Sequence, residues 1–155
     1  MLRHLIAALF ASLLLAGCTT PPKGAGTGKY AAVEIDGFSR SSVRLAISQV
    51  CEKQGYKQIA EINDKMTFEK SASTGQSIVW GGLDKGVWER IEVSVTRLSD
   101  EDHFLVSLDA YRINNHGDSL LEDSKKMGFA MQSKYQELLE NVRKLLAPMP
   151  PPAGK

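Results

Sequence analysis

The chain has 155 residues, 43% of them hydrophobic and 24% charged, with two cysteines, six prolines and 13 glycines. That composition excludes a wholly disordered or collagen-like chain, and the length suits one domain with appendages. Nineteen Lys and Arg against 18 Asp and Glu leave a formal charge of +1, and the longest basic run is Lys125-Lys126, so nothing points to nucleic acid as a partner.

The amino terminus reads as a targeting segment. Met1-Leu2-Arg3-His4 carries one positive side chain, and the eleven residues from Leu5 to Leu15 are apolar except for Ser12. A helix that spans a bilayer needs about 20 apolar residues, so this run has the length of a signal-peptide core instead. It leads into Leu15-Ala16-Gly17-Cys18, a branched apolar residue, two small residues and a cysteine. This resembles the lipobox of bacterial lipoproteins, and the resemblance covers residues 1–18. It implies that 1–17 are removed as a signal peptide and that the Cys18 thiol takes a diacylglycerol, with palmitate-type chains as the membrane anchor. Each buried methylene contributes roughly 0.8 kcal/mol, so two or more chains hold where one does not. Thr19, rather than Asp, follows the cysteine. By the family's sorting rule this implies the inner leaflet of the outer membrane, with the domain in the periplasm. Loss of Arg3 with the signal takes the formal charge from +1 to zero. With Cys18 committed to lipid, Cys51 has no partner for an internal disulfide. It reads as a buried structural residue, with a reactive thiol as the sharper alternative.

Residues 18–29 form the lipidated cysteine and a Pro- and Gly-rich tether. Its Gly24-Ala25-Gly26-Thr27-Gly28 run follows no strand and opens no helix, so it is not a nucleotide loop. Tyr30 to Ile35 alternates weakly as a first strand, ended by Gly37. Val43, Ala46, Ile47, Val50, Cys51 and Gln54 form a stripe that predicts a helix over 41–54, with serines to cap its start and Gly55 to close it. Lys57 to Ile62, the Asn63-Asp64 turn and Lys65 to Lys70 predict two strands, with Met66 and Phe68 on one face. Residues 77–80 suggest a short strand before a Gly-rich loop, Gly81 to Gly86. Ile91, Val93 and Val95 predict a long strand, and Phe104, Val106, Leu108 and Ala110 another, joined by a polar turn at Ser99 to Asp102. Ser133 with Gln136 fits a capping box for a last helix whose stripe is Tyr135, Leu138, Leu139, Val142, Leu145 and Leu146, stopped by Pro148. Residues 148–155 are a Pro-rich tail.

The expected architecture is α+β: one domain over 30–147, built as a four- to five-stranded antiparallel sheet with two helices packed on one face. This element order, with the lipobox, resembles the helix-grip domains of lipoprotein subunits in the outer-membrane barrel assembly machinery. The resemblance assigns no residue a role.

Chemistry-bearing motifs are sparse. Asp100, Glu101, Asp102 and His103 cluster, but alternation sends neighbours to opposite faces, so a solvated turn is the reading rather than a metal site. His116 lies in a second turn, Asn114 to Asp118. The sequence holds no Gly-x-Ser-x-Gly, HExxH or CxxC, so no catalytic, metal or cofactor-binding residue is assigned. Trp80 and Trp88 flank the Gly81 to Gly86 loop and are the candidates for ligand or partner contact, either as a lid over a groove or as closure of the core. The expected function is that of a lipid-anchored periplasmic module, acting in structure, assembly or as an adaptor by contact with an envelope protein. Its surface would be the exposed sheet face, a sheet edge or the tryptophan loop. A binder of an apolar or lipid-like ligand in a sheet–helix groove is the alternative, and an unrecognised hydrolase the third.

Overall fold

Alternating apolar and polar residues lay down the sheet in the computed structural model, which describes residues 30–73, 87–99 and 102–147. The strands are β1 (Ala31–Asp36), β2 (Lys57–Ile62), β3 (Lys65–Ser71), β4 (Trp88–Arg97), β5 (His103–Asn114) and β6 (Asp123–Lys126). The helices are α1 (Arg40–Lys53) and α2 (Gln132–Leu146), the latter entered through a 3-10 turn, Phe129–Met131. All strand pairs are antiparallel, in the order β1-β5-β4-β3-β2. β1 and β6 share one side of β5: β1 pairs with its first half, Ala31 opposite Leu108 through Asp36 opposite His103, and β6 with its second, Tyr111 opposite Lys126 through Asn114 opposite Asp123.

Strand parity decides the layers. Ile91, Val93 and Val95 of β4 meet Ala110, Leu108 and Val106 of β5, and this face is fully buried beneath the helices. α1 buries Val43, Ala46, Ile47, Val50 and Cys51, while α2 buries Tyr135, Leu138, Leu139 and Val142. Each buried Val, Ile or Leu among them stabilises the fold by about 1.5–3 kcal/mol relative to exposure. Ser39 caps α1, its hydroxyl accepting from the Ser42 N–H at 3.2 Å. Gly55 takes φ +83°, the left-handed geometry that turns the chain out of the helix.

The α+β architecture with both helices on the sheet is the one the sequence predicts, with four differences. The sheet has a sixth strand: Asp123-Ser124-Lys125-Lys126 is exposed throughout and carries no apolar alternation, yet its backbone pairs with β5. α2 has no capping box: Met131 stands at its N-cap without a side-chain bond, and Ser133 lies inside the helix. His103 opens β5 instead of lying in a turn, and Leu145, expected on the buried stripe, is 43% exposed. Cys18, the tether, the 77–80 segment with Trp80, the Gly81 to Gly86 loop, Asp100, Glu101 and the tail lie outside the described residues.

Candidate functional site

Trp88 opens β4 on the face away from the helices, in line with Arg90 and Glu92 and opposite Ile113. It is half-buried, and its indole stacks on the His116 ring with centroids 4.0 Å apart and planes 16° from parallel. His116 is delivered by a turn in which Asn115 and Gly117 both take positive φ. Its Nε2 lies 2.7 Å from Glu69 Oε2, and Arg90 Nε donates to Glu69 Oε1 at 2.5 Å. Glu69 is only 3% exposed, so this open-face carboxylate is enclosed by the two partners. Arg90 also donates to Glu122 Oε1 at 3.0 Å, and the Gly117 N–H donates to Glu122 Oε2. The Gly117 N–H first, then Arg90, holds the Glu122 carboxyl below its ordinary range. The segment from Asn115 to Glu122 is thereby fastened over the open face. Trp88 packs under it and lines no sheet–helix groove. His116 does meet a carboxylate, but Cys51 is on the far side of the sheet, in the core beneath α1. His103 faces Asp36 at 3.2 Å and Glu34 at 3.6 Å. Among the described residues no group of His, Cys, Asp and Glu converges to hold a metal.

A second polar cluster lies on the helix side. Glu89 is 0% exposed, and Lys134 of α2 reaches both its oxygens, at 2.8 and 2.9 Å. The Tyr56 hydroxyl donates to it as well. Burial, then the Glu89 charge, raises the neighbouring Tyr135 phenol. Lys70, opposite Glu89 on β3, sits 4.0 Å over the Tyr56 ring and donates to the Gln54 carbonyl at 3.3 Å. Burial, reinforced by Lys134, lowers its ammonium to about 8. Burial pushes the Cys51 thiol up to about 12, the inert state of a core cysteine. Sequence reading missed this cluster. The signal was parity: the alternation that sends Ile91, Val93 and Val95 inward also sends Glu89 inward.

The two sheet edges are treated differently. On β1 the Ala32 N–H donates to Gln136 Oε1 at 3.2 Å, and Gln136 Nε2 donates to the Ala32 carbonyl at 3.0 Å. Gln132 Nε2 caps the Tyr30 carbonyl at 2.8 Å. Glutamines of α2 thus occupy the outward backbone groups at the start of β1, on Tyr30 and Ala32. Among the described residues β2, at the other end, pairs with β3 alone. Ile59 and Ile62 stand there 52% and 68% exposed, and Leu45 of α1 is 61% exposed. Between α1 and β2 runs an open groove of about 670 Å³, lined by Arg40, Arg44, Leu45, Ser48, Glu61 and Met66. Arg40 pairs with Asp64 at 2.6 Å and Arg44 with Glu61, which leaves the groove's charges balanced.

Among the described residues no helix is long and apolar enough to cross a membrane. No known family model matches the chain, and no curated protein matches it in sequence.

Proposed function

We propose that the chain is a lipid-anchored envelope protein, held to the outer membrane through Cys18, that acts as an assembly or adaptor module by binding an extended segment of a partner protein along β2. The observation that carries this reading is the asymmetry of the edges. Unpaired strand edges recruit other strands, and proteins usually blunt them. Here Gln136 and Gln132 hold the start of the β1 edge and its other half, β6, is wholly polar, whereas β2 exposes Ile59 and Ile62 and borders a groove lined in part by exposed Leu45. An added strand would gain main-chain hydrogen bonds from β2 and set alternate side chains against these apolar residues. The register shift between Gln58 and Ala60, together with Lys57, disfavours indiscriminate pairing and selects a partner that fits the bulge. The lipobox supplies the anchor, and the absence of a catalytic motif in the sequence fits a binding role.

The test is site-specific photo-cross-linking in intact membranes, with a photoreactive residue at Ile62 or, as a control, at Glu34 on the β1 edge. One protein adduct from position 62 that is absent from position 34 and weakened by Ile59→Asp is the expected result. Equal adducts from both edges, or none from β2, would overturn the reading. Running Cys18→Ala beside the wild type separates anchor from module: an adduct that survives in the soluble fraction keeps the binding edge and removes the lipid's role.

A further inference from the structure

β6 and the residue before it read Glu122-Asp123-Ser124-Lys125-Lys126, a run whose charge order inverts about Ser124. The strand is exposed throughout, and among the described residues it pairs with β5 alone, so its outer edge is open. The Met127 N–H donates to the Ala110 carbonyl at 2.9 Å, which continues the β5–β6 register. Odd-numbered residues therefore turn their backbone groups toward β5, and Ser124 and Lys126 turn theirs outward. The side chains alternate as well. Asp123 and Lys125 lie on the helix side of the sheet, the side of Arg112 and Glu89. Glu122, Ser124 and Lys126 lie on the open face, where Glu122 meets Arg90 and Lys126 meets Asp109.

Within one copy this pairing leaves a charge conflict. Lys125 stands directly opposite Arg112, and like charges so placed repel. Among the described residues neither Asp123 nor Lys125 joins an ion pair. We propose that two copies of the chain pair through β6, antiparallel about a two-fold axis at Ser124. Ser124 then meets its own counterpart, each Asp123 lies opposite the second copy's Lys125, and each Glu122 lies opposite its Lys126. Both charge pairs join residues of the same sheet face, as cross-strand neighbours must. A parallel arrangement would set acid against acid and cation against cation. The charges that turn away an apolar segment thus fit their own reverse, the condition for a two-fold interface. Apolar groups close its ends. Leu120 and Leu121, 91% and 64% exposed, precede the charged run, and Phe129, 81% exposed, follows it. Antiparallel pairing brings the leucines of each copy toward Phe129 of the other, where such groups find cover. The surface is separate from β2, so the inference stands apart from the partner-binding reading.

The test is sedimentation equilibrium of the whole chain from residue 18, carrying Cys18→Ala so that no acyl chain drives association. A monomer–dimer equilibrium that weakens with salt is expected. Asp123→Lys and Lys125→Asp each set like charges across the axis at two places, and each should weaken the dimer by roughly tenfold. The double variant, with both changes in one chain, restores opposite charges and should return to within about threefold of wild type. An equimolar mixture of the two single variants should likewise recover the dimer. All these side chains are exposed, and circular dichroism checks that each variant is folded. Ser124→Cys, on the axis, should form a disulfide-linked dimer under mild oxidation, whereas Ser41→Cys on α1 should not. A chain that stays monomeric up to about 1 mM, a dimer indifferent to either reversal, a double variant that fails to recover, or equal cross-linking at 41 and 124 would overturn the inference.

Discussion

Lys70 holds an ammonium in a half-buried place between the Tyr56 ring, the Gln54 carbonyl and Lys134. Burial lowers its pKa to about 8, below the ordinary lysine range. Below about pH 8 the folded protein carries this charge at a penalty that the unfolded chain escapes. From about pH 8 up to the ordinary lysine range the unfolded chain binds more protons, so the stability contributed by this site rises with pH. Cys51 acts with the opposite sign. Its folded thiol stays protonated to about 12, so its contribution falls once pH passes the ordinary thiol range. The Cys51 effect is common to wild type and Lys70→Met and largely cancels in their comparison. Urea unfolding across pH should therefore show the variant gaining most against wild type near neutrality, with the difference shrinking above about pH 8. A difference that is flat with pH would contradict the assigned cause. At this scale the sequence was only partly legible. Cys51 was readable as a core residue because it lies on the α1 stripe. Glu89 was not, because its inward parity conflicts with its charge, and the conflict is resolved by Tyr56 and by Lys134, some 45 residues later in the chain.

Gln136 illustrates how an element can be read correctly for the wrong reason. Its spacing from Ser133 suggests a capping box, and a helix does follow. The amide instead spans the backbone of Ala32, which only the tertiary fold brings near. Gln136→Ala removes both hydrogen bonds and should cost about 1–2 kcal/mol in chemical denaturation. It also uncovers the β1 edge, so sedimentation should show concentration-dependent association beyond that of wild type. The long periodic elements, α1, α2, β4 and β5, were legible because each has one dry face. β6 was not, because all four of its residues are wet and only the unpaired second half of β5 places it. Of the two tryptophans singled out as candidate contacts, Trp88 occupies the helix-free face. Its partner His116 comes from a turn, and no periodicity announces that meeting.

Across the whole molecule, the chain's first strand pairs with a strand near its end. β1 finds its register only against residues 103–108, whereas β2 to β5 follow one another as neighbours. Local pairings close with less loss of chain entropy, so β1 joins after the meander has formed. Val33→Ala, in a side chain 2% exposed, should then act on the return path. Stopped-flow kinetics are expected to give an unfolding rate at least tenfold higher, with the folding rate within about twofold of wild type. A matching fall in the folding rate would place β1 in the nucleus instead. The same strand is also where any tension on the preceding chain enters the domain. An edge strand pulled from its end peels away one bond at a time. Here the pull meets the Tyr30 hydroxyl on Gly128, Gln132 on the Tyr30 carbonyl and Gln136 on Ala32 before it reaches the pairing with β5. These three fastenings tie the entering chain to Gly128 and α2, so a pull on it is met by two glutamines and a tyrosine before the sheet itself is loaded.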